Sequence, residues 1–100
     1  MKTIVIVEHQ AVELESLVNL FQQWQKEINV ISTSEEQAAI NIMAKQRVDL
    51  VVCDIAVPGG KNLDDFSLLT NSFPYVPCIA LTEPEGNRQQ EVLERGASHC

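Results

Sequence analysis

Apolar residues fall along this chain in two rhythms. Ile4-Val5-Ile6-Val7, Leu50-Val51-Val52-Cys53 and the stretch from Val76 to Leu81 are apolar on successive positions. That is the habit of strands covered on both faces, as in the middle of a parallel sheet. Between them the period changes. Leu14, Leu17, Val18, Phe21 and Trp24 recur at helical spacing within 12–24. Ala38, Ala39, Ile42 and Met43 do so next, then Leu63, Phe66, Leu69 and Phe73, and finally Val92 and Leu93 with Arg95. Each set predicts a helix with one face on a core. Val30-Ile31 is a weaker strand signal.

Punctuation between the segments supports the same order. Ser34-Glu35-Glu36-Gln37 reads as a capping box with Ser34 as N-cap. Asp64 and Asp65 suit the first turn of the third helix, and Pro74 marks its stop. Pro84-Glu85 reads as a helix start, and Gly96 as the residue that ends that helix. Strands alternating with helices require parallel pairing, and right-handed crossovers place helices on both faces. The expected fold is α/β, a doubly wound parallel sheet in a three-layer sandwich.

Composition narrows the function. One hundred residues make a single domain, and 45% apolar with 21% charged residues is ordinary globular composition. Fourteen acids against seven bases give a net charge of −7. That argues against nucleic-acid binding through this domain. The three cysteines, Cys53, Cys78 and Cys100, show no metal-ligand spacing. Cys53 and Cys78 lie in apolar runs and read as buried, reduced core residues, consistent with a reducing compartment. No signal peptide and no membrane-spanning stretch is visible, so the expected location is cytoplasmic.

The chemistry gathers where the strands end. Glu8 and His9 close the first strand, Asp54 the third and Thr82 the fourth. In doubly wound sheets these carboxyl ends lie side by side and carry the ligand site. Asp54 closes a buried run, and a buried carboxylate is costly unless hydrated, paired or bound to a cation. The plainer alternative is an Asp that only begins the next turn. Carboxylates brought together from Glu8 and Asp54 repel and invite a hard cation such as Mg²⁺. An Asp oxygen beside such a cation can act as nucleophile toward phosphorus. Gly59-Gly60 lies in the following loop, but no GxGxxG or GxxxxGK[ST] accompanies it. Dinucleotide and P-loop readings are therefore rejected.

Together these residues resemble the receiver domain of two-component response regulators. The resemblance rests on Asp54 followed by Pro58, the IVIV strand ending in Glu8, Leu81-Thr82 at the fourth strand's end, and Gly96-Ala97-Ser98. It implies a flavodoxin-like sheet in the order 2-1-3-4. It also implies that Asp54 accepts a phosphoryl group from a histidine kinase or phosphotransfer protein, and that Thr82 is the switch hydroxyl. Mg²⁺ would be held by Glu8, Asp54 and the Ala56 backbone carbonyl. The implied role is signalling rather than enzymatic, toward an unidentified output domain or partner protein, with dimerisation as a further option.

Two departures from the family's pattern stand out. Its second acidic position is His9 here, and imidazole suits Zn²⁺ or Mn²⁺ better than Mg²⁺. His9 is accordingly a doubtful metal ligand, a protonatable neighbour of Asp54, or an ordinary exposed histidine. The domain, residues 1–100, also reads as C-terminally truncated. The family's lysine would fall just beyond Cys100, its switch aromatic at Cys100, and the fifth strand and last helix are missing, leaving a flank of the fourth strand exposed. Two alternatives stay beside the phosphoacceptor reading: a pseudo-receiver acting as a phosphorylation-independent interaction module, and an unrelated flavodoxin-like binder or enzyme.

Overall fold

The computed structural model describes residues 2–24, 28–55, 63–82 and 88–99, leaving aside the side chains of 11–14, 21, 22 and 24. Four strands and four helices alternate among the described residues. They are β1 (Lys2–Val7), α1 (Ala11–Trp24), β2 (Ile28–Thr33), α2 (Glu36–Met43), β3 (Leu50–Asp54), α3 (Asp64–Ser72), β4 (Cys78–Leu81) and α4 (Arg88–Glu94). The sheet order is β2-β1-β3-β4 and every pairing is parallel. The doubly wound parallel architecture is as the sequence pattern predicts, and the flavodoxin-like order 2-1-3-4 is as the resemblance implies.

Side-chain alternation divides the core by face. Val5 and Val7 of β1, Val51 and Cys53 of β3, and Cys78 and Ala80 of β4 pack with Ala39 and Met43 of α2, Phe66 and Leu69 of α3, and Val92 of α4. Ile4, Ile6 and Val52 point the other way, where Leu17 and Val18 of α1 pack against them. The run of apolar residues in β1 and β3 is thus explained by burial on both faces.

Local expectations fare differently. The weak signal at Val30-Ile31 lies inside a six-residue strand, half-buried because β2 is the edge of the sheet. The fourth strand starts at Cys78 rather than Val76, after a turn in which the Val76 N–H donates to the Phe73 carbonyl at 3.1 Å. The capping box does not form. Glu35 is the N-cap of α2, with extended backbone and no side-chain cap. The hydroxyl of Thr33 takes over instead, accepting from the Glu35 N–H at 3.0 Å and donating to the Glu35 carbonyl at 2.7 Å. With the helix start displaced, Ala38 faces solvent while Ala39 is buried.

Gly96 ends α4 as expected, with φ of 110°. The chain then turns back onto the sheet. Ser98 N–H donates to the Cys78 carbonyl at 2.8 Å, and Ala80 N–H to the His99 carbonyl at 2.9 Å. Ile79 and His99 form a parallel bridge. The flank of β4 is thus already paired there, where the sequence reading left it open. Trp24's side chain and Pro84-Glu85 lie outside the described residues, as do Ala56, Pro58 and the Gly59-Gly60 loop.

Candidate functional site

Strand register brings the predicted site residues to one pole of the sheet. Val7 of β1 is the partner of Cys53 of β3, and Asp54 of β3 is the partner of Leu81 of β4. Glu8, Asp54 and Thr82 therefore follow one another across three adjacent strand ends. Ile55 N–H extends the β3–β4 ladder by donating to the Leu81 carbonyl at 2.9 Å, which keeps Thr82 beside the residue after Asp54.

Burial gives the pole its chemistry. Glu8 is 1% exposed and Asp54 9%. Long carboxylates are almost never this deeply covered without a partner. The backbone frames Glu8 closely. Its N–H donates to the Thr33 carbonyl of β2 at 3.0 Å, and its Oε1 accepts the Gln10 N–H at 3.0 Å. Thr82 is half-buried.

A third buried carboxylate, Glu36, joins the pole from the first turn of α2, at 2% exposed. His9 Nε2 donates to Glu36 Oε1 at 3.2 Å. The Cys53 thiol lies 3.6 Å from the same oxygen. The sequence placed Glu36 only inside a capping motif and missed its place here. One signal was available: α2 begins directly after β2, so its first turn must sit at the pole where β1 and β3 end. His9 is thus paired with a carboxylate from a neighbouring element. Among the described residues no three His, Cys, Asp or Glu side chains converge on a point that could hold a metal ion. The two strand-end carboxylates nevertheless supply hard oxygen donors of the kind Mg²⁺ prefers, so the residues fit that ion.

The opposite pole is held by a different carboxylate. Asp49 Oδ2 accepts the Thr3 N–H at 2.9 Å, and Asp49 N–H donates to the Thr3 carbonyl at 2.9 Å. The Thr3 N–H first, and then the nearby Lys2 and Arg47 charges, hold the Asp49 carboxyl below its usual range, against an opposing contribution from desolvation. Arg47 Nε lies 3.3 Å from Asp49 Oδ1, and Lys2 Nζ 4.0 Å. These contacts tie the residues just before β3 to the first residues of β1, and so help set the register that aligns Glu8 with Asp54.

A parallel sheet in this order, with acids at adjacent strand ends, defines a receiver-type domain. The model of the response regulator receiver domain family matches residues 4–100, and the chain belongs to that family. Solved structures agree. The receiver domain of the TMAO respiratory system response regulator TorR is 29% identical, with a TM-score of 0.81 over 99% of this chain and 81% of that one. A two-component response regulator from Clostridium difficile shares 16% identity, with a TM-score of 0.80 over 99% of this chain and 80% of that one. The chemotaxis response regulator CheY4 of Vibrio cholerae shares 18%, with a TM-score of 0.79 over 99% and 83% respectively. At those lower identities the likeness shows the fold. No curated protein sequence matches the chain. The family is one of signalling modules, and among the described residues no helix is long and apolar enough to cross a membrane.

Proposed function

We propose that this domain is a phosphoacceptor receiver in a two-component signalling pathway, with Asp54 as the acceptor. The observation that carries the reading is the burial of Glu8 and Asp54 at neighbouring strand ends. An Asp54 carboxylate oxygen attacks the phosphorus of a phosphohistidine on a kinase or phosphotransfer protein. The P–O bond to Asp54 forms as the P–N bond breaks, and the departing imidazole keeps that electron pair. Glu8, Asp54 and the Ala56 carbonyl would hold Mg²⁺, which when bound neutralises charge on the transferring phosphoryl oxygens. Glu8 is held for this by the Gln10 N–H.

The Thr82 hydroxyl then donates to a phosphoryl oxygen. New charge at Asp54 and that hydrogen bond shift the domain between two packings, which is how the output or partner protein reads it. The setting is cytoplasmic, as is usual for such domains. The test is incubation with acetyl phosphate and Mg²⁺ followed by intact mass measurement. A phosphoryl adduct that disappears in Asp54→Ala supports the reading.

The pseudo-receiver reading has one observation in its favour. The residue after Glu8 is a histidine, and its ring is engaged by Glu36. No adduct in folded wild-type protein would favour an interaction module that works without phosphate.

A further inference from the structure

We infer that Glu36 is a positioning residue for the acidic pocket, holding the His9 ring against the start of α2 and setting the pocket's affinity for its cation. The inference rests on the reading of Glu8 and Asp54 as a cation site. β1 delivers one carboxylate, Glu8, and then an imidazole. The carboxylate beside that imidazole comes from a different element, α2.

One oxygen of Glu36 reaches the neighbours of both pocket acids. Oε1 lies 3.2 Å from Nε2 of His9, the residue after Glu8, and 3.6 Å from Sγ of Cys53, the residue before Asp54. At 2% exposure this carboxylate is more deeply buried than Asp54 itself. A carboxylate accepts only, so His9 must present Nε2–H to it, and that fixes how the ring is turned. Carboxylates that orient a histidine beside a metal commonly govern affinity without touching the ion. The low dielectric of a buried pole lets such a charge act over several ångströms. With Nε2 committed to Glu36 the His9 ring is held beside Glu8 in the chain, and Glu36 belongs to the working pocket.

Replacing His9 by the acid usual in the family should therefore gain nothing by itself. An aspartate there would face the Glu36 carboxylate, and the two would repel.

Full-length chain titrated with MgCl₂ in a calorimeter tests this, alongside ¹⁵N spectra of the His9 ring without metal. Glu36→Gln should weaken Mg²⁺ binding on the order of tenfold and shift the His9 ring resonances. Glu36→Asp, which keeps the charge but withdraws it by one methylene, should fall between and replaces Glu36→Gln if that variant does not fold. His9→Asp should leave Mg²⁺ affinity unimproved with Glu36 present and improve it in the Glu36→Gln background. Unchanged Mg²⁺ affinity in Glu36→Gln, or equal tightening by His9→Asp in both backgrounds, overturns the inference. If wild type binds Mg²⁺ in an Asp54-dependent way while Glu36→Gln has no effect, only this inference fails. If folded wild type binds no Mg²⁺, the pocket reading fails and takes the inference with it.

Discussion

Gly96 presses against Thr70 so closely that a β-carbon on the glycine would lie 2.7 Å from the Thr70 hydroxyl oxygen and 2.8 Å from its Cβ. The close approach lets Thr70 donate to the Arg95 carbonyl as α4 ends, locking α4 to α3. Arg95 adds a looser tie on the surface, with Nη1 2.9 Å from Ser67 Oγ.

Gly96→Ala should therefore destabilise the domain. The backbone there has φ of 110°, which an L side chain rarely adopts. Strain of this kind costs about 1–3 kcal/mol, before the contact with Thr70 is counted. Urea unfolding of the variant against wild type measures the loss, and an unchanged midpoint would refute the assignment.

Asp49 gives the domain an acid-side dependence. Its carboxyl titrates lower in the folded protein than in the unfolded chain, chiefly because it accepts the Thr3 N–H. A lowered folded value means stabilisation that is complete above the ordinary carboxylate range and is lost as pH falls through the folded value. Asp49→Asn should thus melt below wild type near neutrality, with the gap closing below about pH 4. Thermal melts across that range provide the comparison.

Cys78 gives the opposite dependence. Burial pushes its thiol up to about 12. The unfolded chain ionises this thiol at lower pH than the folded protein does, so stability falls as pH rises from the ordinary thiol range toward the folded value. Below that range Cys78 should resist thiol reagents in the native protein and react only after denaturation. Labelling followed by peptide mass mapping would show whether it does.

Mg²⁺ should raise the melting temperature of wild type and leave that of Asp54→Asn nearly unchanged, because a ligand stabilises only the state that binds it. Without metal, Asp54→Asn should melt higher than wild type. Glu8 and Asp54 are like-charged groups buried at neighbouring strand ends, and the amide removes one of the two charges. Scanning calorimetry with and without MgCl₂ distinguishes the two effects.

How far the sequence revealed this molecule depended on the range of the forces involved. β1 and β3 were legible because both faces are buried, so every position in Ile4–Val7 and Leu50–Cys53 is apolar. β2 was faint because an edge strand needs fewer such positions, and Asn29 and Ser32 sit among its apolar residues. The α2 start was misjudged because a hydroxyl from the preceding strand, Thr33, competes with the local Ser34 motif and prevails. Ala38 then faces solvent, while Ala39 keeps its expected place in the core. Asp54 and Glu8 stood out because buried acids at strand ends are uncommon. The partnership of His9 and Glu36 did not, since 27 positions separate them and only the tertiary fold joins them.

Thr33 links these levels. Its carbonyl accepts the Glu8 N–H, and its hydroxyl clasps the backbone of Glu35 just before α2 begins. The rim strand, the acid of the central strand and the mouth of a helix are stitched through a single residue. The mouth of α2 is therefore anchored to the same backbone point that fixes Glu8 rather than hung from a slack joint.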